Sequence, residues 1–324
     1  MSNMVKPGMN LPLQAVNTPK KGFRKFLQTI VNQQVLIYMS FPFLIHLIIF
    51  RYVPLSGWVM AFQDFKLNTS MWHQKLIGFK HFVDMFEDAT FLRALRNTVA
   101  MAFIKLVLGT LAAIFVAVLI NETKNRPFKR TVQVISYLPH FISWVVAANI
   151  WLEILSPRGV INQMLVGMHI IKDPILFMGK PKLFWWIIGI SNVWKTAGFG
   201  AIIYLAAMTS IDPQLYEAAD MDGAGRLRRI WNITLPCIKP TIVILLIMNI
   251  GHLLDAGFEH PYLMRNNLVI DYSEVLTIYV LRFGLQMQRF SFATAAGIFK
   301  SVVSLTLVLS ANQVAKRLNE TTLM

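Results

Sequence analysis

Apolar residues along this chain gather into long runs separated by shorter polar segments. Runs of about 20 residues fit helices that cross a bilayer, and they lack the strict alternation of half-buried strands. Six such segments are expected, near residues 34–53, 95–120, 131–155, 184–209, 238–257 and 292–315. Pro42 and Pro139 fall inside two of them, where neighbouring helices can re-satisfy the freed carbonyls. The predicted fold class is all-α, a polytopic membrane protein with six transmembrane helices in one domain over 34–324. An even number of spans puts both termini on one side.

Ahead of the first run lies a basic leader, residues 1–33, with Lys6, Lys20, Lys21, Arg24 and Lys25 and no acidic residue. From Phe23 its apolar positions Phe23, Phe26, Leu27, Ile30 and Val31 repeat at helical spacing, which suits an amphipathic helix lying on a membrane surface. The plainer alternative is that this stretch is the polar start of the first span. The run opening near Val35 is read as a retained span, because no A-x-A-like cleavage site precedes it.

One polar island breaks the apolar pattern, Tyr216 to Pro236, within the loop 210–237. Asp212 can cap a first helix that opens with Pro213, and Glu217, Ala218 and Ala219 continue it with small side chains. Gly223 and Gly225 are expected to supply a turn, and Arg226 to Ile233 a second helix with Leu227, Ile230 and Trp231 as its apolar stripe. Pro236 is expected to separate that helix from the fifth span.

Composition agrees with the pattern: 324 residues, 55% hydrophobic and 15% charged, with a mean hydropathy of +0.52. The formal charge of +15 comes from 31 basic against 16 acidic residues. The basic residues sit in short flanks between apolar runs, which points to anionic lipid and away from nucleic acid. Leader, 121–130 loop, island and tail gather the bias on one side, so that side, with both termini, is read as cytoplasmic in a cell inner membrane. Cys237 is the single cysteine, which excludes an intrachain disulfide and a multi-cysteine zinc site. The histidines, His140 and His252 among them, show no metal-ligand spacing.

The island carries a resemblance. Glu217, Ala218 and Ala219 are followed after three residues by Gly223, then after nine by Ile233, Leu235 and Pro236. That pattern, EAA-x3-G-x9-I-x-L-P, resembles the permease subunits of binding-protein-dependent ABC importers, and the six-span layout from about residue 34 onward is similar too. The resemblance implies that the island is a coupling helix pair seated on an ATPase subunit, with Glu217 making a polar contact there and Gly223 setting the bend. It implies a second permease subunit, two ATPase subunits and a periplasmic solute-binding protein as partners, and alternating access as mechanism. It implies no cofactor bound by this chain, ATP and Mg belonging to the ATPases. The residues agree: there is no GxxxxGK[ST] loop, and Gly297-Ile-Phe-Lys300-Ser301 has the wrong spacing.

The leader, Tyr52-Pro54-Gly57, Tyr137-Leu138-Pro139 and Ile202-Tyr204-Leu205 look like the oligosaccharide branch, in particular the alginate-importer group. The large inserted periplasmic domain of the maltose-type partner is absent from the outer loops. Candidate residues for a translocation path are Lys195, Lys300 and Lys105, with Asn149, Asn192 and Asn249 at comparable depth. Charges inside a span face the bundle interior or find a partner, so these lysines either line a path suited to a uronate chain or pair with Glu153 or Asp255. Trp185, Trp186 and Trp194 are read as interfacial anchors before sugar platforms. A secondary transporter would need intramembrane acidic residues and an inverted repeat, and a membrane enzyme a catalytic set; the sequence offers neither.

Overall fold

An apolar chain must satisfy its backbone groups internally, and helix does so within each segment. In the computed structural model, which describes residues 33–255 and 257–317, strand pairing among the described residues is confined to one antiparallel bridge between Gln63 and Leu76. The leader helix expected over 23–33 falls almost wholly outside the described residues. The chain divides into two units, Met1–Gly57 and Trp58–Met324. In the first, α1 (Gln34–Leu47) contains Pro42, runs on into a π turn at Ile48–Tyr52 and buries none of its side chains.

The second unit carries α2 (Lys80–Glu87), α3 (Ala89–Glu122), α4 (Arg126–Phe141), α5 (Trp144–Ile154), α6 (Val160–Gly167), α7 (Pro181–Thr209), α8 (Pro213–Met221), α9 (Arg226–Arg229), α10 (Leu235–Gly251), α11 (Glu259–Met264), α12 (Ile270–Ser273), α13 (Leu276–Leu281) and α14 (Phe290–Arg317). Among the described residues, four helices are long and apolar enough to cross a membrane: Gln34–Phe62, Ala89–Glu122, Arg226–Gly251 and Phe290–Arg317. The bent pair α4–α5 makes a fifth. Helix α7, 29 residues long, occupies the place of the expected fourth span.

Two expectations need correction. Residues 131–155 do not form one straight span. Helix α4 ends at Phe141, Ile142 and Ser143 are extended, and Ser143 Oγ accepts from Val146 N at 3.3 Å to start α5 at an angle of 103°. Pro139, in the last turn of α4, has no N–H to continue the ladder. Nor does Pro236 separate the island from the fifth span. It sits at the start of α10, directly after a π turn at Ile230–Thr234 that carries α9 into α10 as one 26-residue helix.

Helices α3 and α7 pack along their length on small residues. Ala113, Ala117, Ala201, Tyr204, Met208 and Ile238 form one buried cluster. Near the start of α3 another cluster joins Met85, Phe91, Tyr279, Phe283 and Phe292. Trp185 Nε1 donates to the Tyr272 carbonyl at 2.9 Å, which ties that ring to the protein, whereas Trp186 is half exposed.

Asn97 holds this end together. It is fully buried on α3, and its Nδ2 donates to the carbonyls of Asp271 (3.0 Å) and Glu274 (2.9 Å). Replacing it with Leu strands the buried Glu274 carbonyl at a cost of about 1–3 kcal/mol, while the Asp271 carbonyl keeps the Arg96 guanidinium at 3.0 Å. Asn97→Leu should therefore lower the melting temperature of the detergent-solubilised protein and expose 265–274 to trypsin sooner. An unchanged digestion time course would contradict the assigned bonds.

Candidate translocation cavity and coupling island

The small residues that let helices approach also leave space between them. On α3, Ala102, Lys105, Leu106, Gly109, Thr110 and Ala113 recur at intervals of three and four, so they share one face. On α7 the matching face is Asn192, Thr196, Gly200, Ile203 and Tyr204, and α10 adds Leu245 and Asn249. These faces, with Trp144 and the 252–260 segment, enclose about 740 Å³. Polar groups converge on the space: Lys105, Thr110, Asn192, Asn249, His252, Asp255 and Glu259. Asn192 and Thr196 are linked to each other, Thr196 Oγ1 donating to the Asn192 carbonyl at 2.8 Å.

One wall is a stack. The Trp144 ring lies parallel to the buried His260 ring, centroids 3.9 Å apart and planes 14° apart. His260 Nε2 is 2.9 Å from Ser191 Oγ, whose hydroxyl donates to the Ile187 carbonyl at 2.6 Å, so the ring nitrogen is the donor. Lys105 Nζ lies against the backbone turn at Gly257, where φ is +82°. Asp255 lines this cavity and a smaller neighbour, and forms an ion pair with Lys300.

Of the six path candidates, the structure brings Lys105, Asn192 and Asn249 to the cavity. Lys300 lines only the smaller neighbour and is paired with Asp255, as the alternative reading allowed. Lys195 is buried and turned to backbone carbonyls of the α4–α5 break. Asn149 is exposed on α5, and its Nδ2 donates to the Val145 carbonyl at 2.9 Å. Sequence reasoning passed over Thr110, Thr196, Tyr204 and Glu259. Thr110 and Thr196 were findable, because Gly, Ala and Thr recur at helical spacing on α3 and α7.

The island forms as a helix–turn–helix. Asp212 Oδ1 accepts from Gln214 N at 2.9 Å, Pro213 opens α8, and Gly223 takes a φ of +69° that only glycine adopts freely. Gly225 has an ordinary φ of −65° and caps α9, so the turn rests on Gly223 alone. Tyr216 and Thr234 share a hydroxyl–hydroxyl bond of 3.0 Å, and Arg229 forms an ion pair with Asp220, which clamps α8 to the start of the long helix. Glu217 and Ala218 are exposed and Ala219 half-buried; Leu235 and Ile233 are half-buried and Pro236 exposed. Of the expected apolar stripe, Ile230 is half-buried, whereas Leu227 and Trp231 are 73% and 68% exposed; Met221 in α8 is 90% exposed.

Residues 105–320, which contain the island and all but one of the residues lining the cavity, match the family described as binding-protein-dependent transport system inner membrane component. The chain belongs to that family. It is a multi-pass permease subunit of the inner membrane, a transport component and not an enzyme. This permease is 40% identical over 309 residues, 95% of its own length and 96% of the other's, to the polygalacturonan/rhamnogalacturonan transport system permease protein YteP of Bacillus subtilis strain 168. It superposes with a TM-score of 0.82 and 41% identity on a chain of a bacterial ABC transporter involved in the import of the acidic polysaccharide alginate, covering 90% of the permease and 99% of that chain. A second structure, the alginate ABC transporter in complex with an alginate pentasaccharide-bound periplasmic protein, matches with a TM-score of 0.84 and 40% identity over 92% of the permease and all of that chain.

Proposed function

We propose that this permease forms half of the pore of an ATP-driven importer that takes up uronate-type oligosaccharide from a periplasmic solute-binding protein by alternating access. A second permease completes the pore, and two ATPase subunits act on it through the 210–237 island, with both termini on the cytoplasmic side. The full-length likeness to the alginate importer is the observation that carries this reading. The cavity supports it in physical terms. Its volume suits a few sugar rings, and its hydroxyl and amide groups on α3, α7 and α10 can exchange hydrogen bonds with sugar hydroxyls. Lys105 supplies a positive charge where a carboxylate would pass. The clamp between Tyr216 and Thr234 supports the coupling role, because it joins α8 rigidly to the helix that continues as the α10 wall of the cavity.

Glu259 and Asp255 face the same cavity, and they favour the second reading, a neutral oligosaccharide. Uptake of labelled oligogalacturonate and of a neutral oligosaccharide of equal length, in cells carrying the whole importer, separates the two. Lys105→Gln should lower uronate uptake about tenfold, the worth of one charge-assisted bond, and leave neutral uptake near its starting value. Equal loss for both sugars would remove the charge from the mechanism.

A further inference from the structure

The break between α4 and α5 leaves the last carbonyls of α4 without partners in their own helix. Lys195, buried on α7, meets them. Its Nζ lies 3.3 Å from the Pro139 carbonyl, 2.8 Å from that of His140 and 2.5 Å from that of Ile142. An ammonium has three N–H donors and no acceptor, so these three carbonyls use its whole capacity. The same nitrogen stands 5.2 Å from the centre of the Trp144 ring, the first residue of α5. One side chain therefore touches both halves of the broken span. One turn along α7, Gly198 admits the Ser136 carbonyl of α4, so helix and break are pressed onto this same face of α7.

We propose that Lys195 is a positioning residue: it fixes the angle of the α4–α5 break and thereby sets Trp144, stacked on His260, in the cavity wall. The role rests on reading the cavity as the sugar path. Lys195 would act on substrate only through Trp144, so its loss should weaken sugar binding before it slows turnover.

Two readouts on the whole importer test this. In a Cys237→Ser background, Trp144→Cys is labelled with a water-soluble maleimide, with Lys195 kept or changed to Met or Arg. Removing three charge-assisted bonds should shift the labelling rate at position 144 about tenfold or more, and Arg, which keeps the donors, should restore it. With Trp144 intact, Lys195→Met should raise KM for the transported oligosaccharide while the maximal rate stays, and Lys195→Arg should recover KM. Should the Met variant fail to accumulate in membranes, Lys195→Gln, with two amide donors, replaces it in both assays. Unchanged labelling in Met or Gln overturns the proposal, as does a fall in maximal rate at constant KM. If the parent importer takes up none of the sugars offered, the functional reading fails, and the labelling comparison still decides the role of Lys195.

Discussion

Charge reversal at Glu217 should uncouple the permease from its motor. Glu217 is exposed on α8, and no partner for its carboxylate is found among the described residues, so Glu217→Arg should leave the fold intact. Its neighbours Ala218 and Ala219 are small enough for another surface to approach closely. Truncating or reversing one member of a charged pair at a desolvated interface costs about 2–5 kcal/mol, which corresponds to a loss of affinity of roughly 30-fold or more. The expected result is a permease that accumulates normally, no longer co-purifies with an ATP-binding subunit, and supports no uptake. Glu217→Gln, which keeps a hydrogen-bonding group, should fall between. Co-purification at the parental level in the Arg variant would mean that the island docks by other residues, and the exposed Met221, Leu227 and Trp231 would be the next to change.

The second large effect is steric. A Cβ placed on Gly198 would stand 2.0 Å from the Ser136 carbonyl oxygen and 2.5 Å from its carbon, and both are backbone, which cannot swing aside. Gly198→Ala therefore forces α4 away from α7, and overpacking of this kind costs about 1–3 kcal/mol, more where backbone must move. A Cβ at Gly297 of α14, by contrast, meets nothing within 4 Å. Gly297→Ala should be neutral or slightly stabilising, since Ala is the better helix former by about 0.5–1 kcal/mol. Thermal unfolding of the two purified variants side by side should give a clear drop for position 198 and none for 297. Similar curves would show that α4 does not lie against α7 at Ser136. The same drop should accompany a loss of uptake, because the displaced α4 carries the break that Lys195 holds.

Much of this molecule was legible in its one-dimensional pattern, and each legible part has a local cause. Apolar runs marked where most of the long helices lie, because helix is the only way a single segment satisfies its backbone in lipid. The island was readable down to its cap and turn, since Asp212, Pro213 and Gly223 act on their own neighbours in sequence. The family was readable from the spaced motif in that island, and the match over residues 105–320 bears the family out.

The cavity was only half legible. Lys105, Asn192 and Asn249 stood out as polar residues in apolar runs, and they do reach the space. Lys195 and Lys300 stood out in the same way and do not line it. The pattern gives the depth of a charged residue but not its azimuth, and a buried lysine can be satisfied by any acceptor its helix faces.

The sequence by itself therefore determined an all-helical membrane subunit, its polar island and the family to which it belongs, because these depend on runs, caps and spacings within a few turns of chain. Only the tertiary structure decided that α4 and α5 break at Ile142 and Ser143, that Lys195 fills the carbonyls of that break, and that Asp255 takes Lys300. Partners 45 to 56 residues apart meet only after helices have packed. Which donor meets the carbonyls of a break is settled by that packing, not by any residue's own preference.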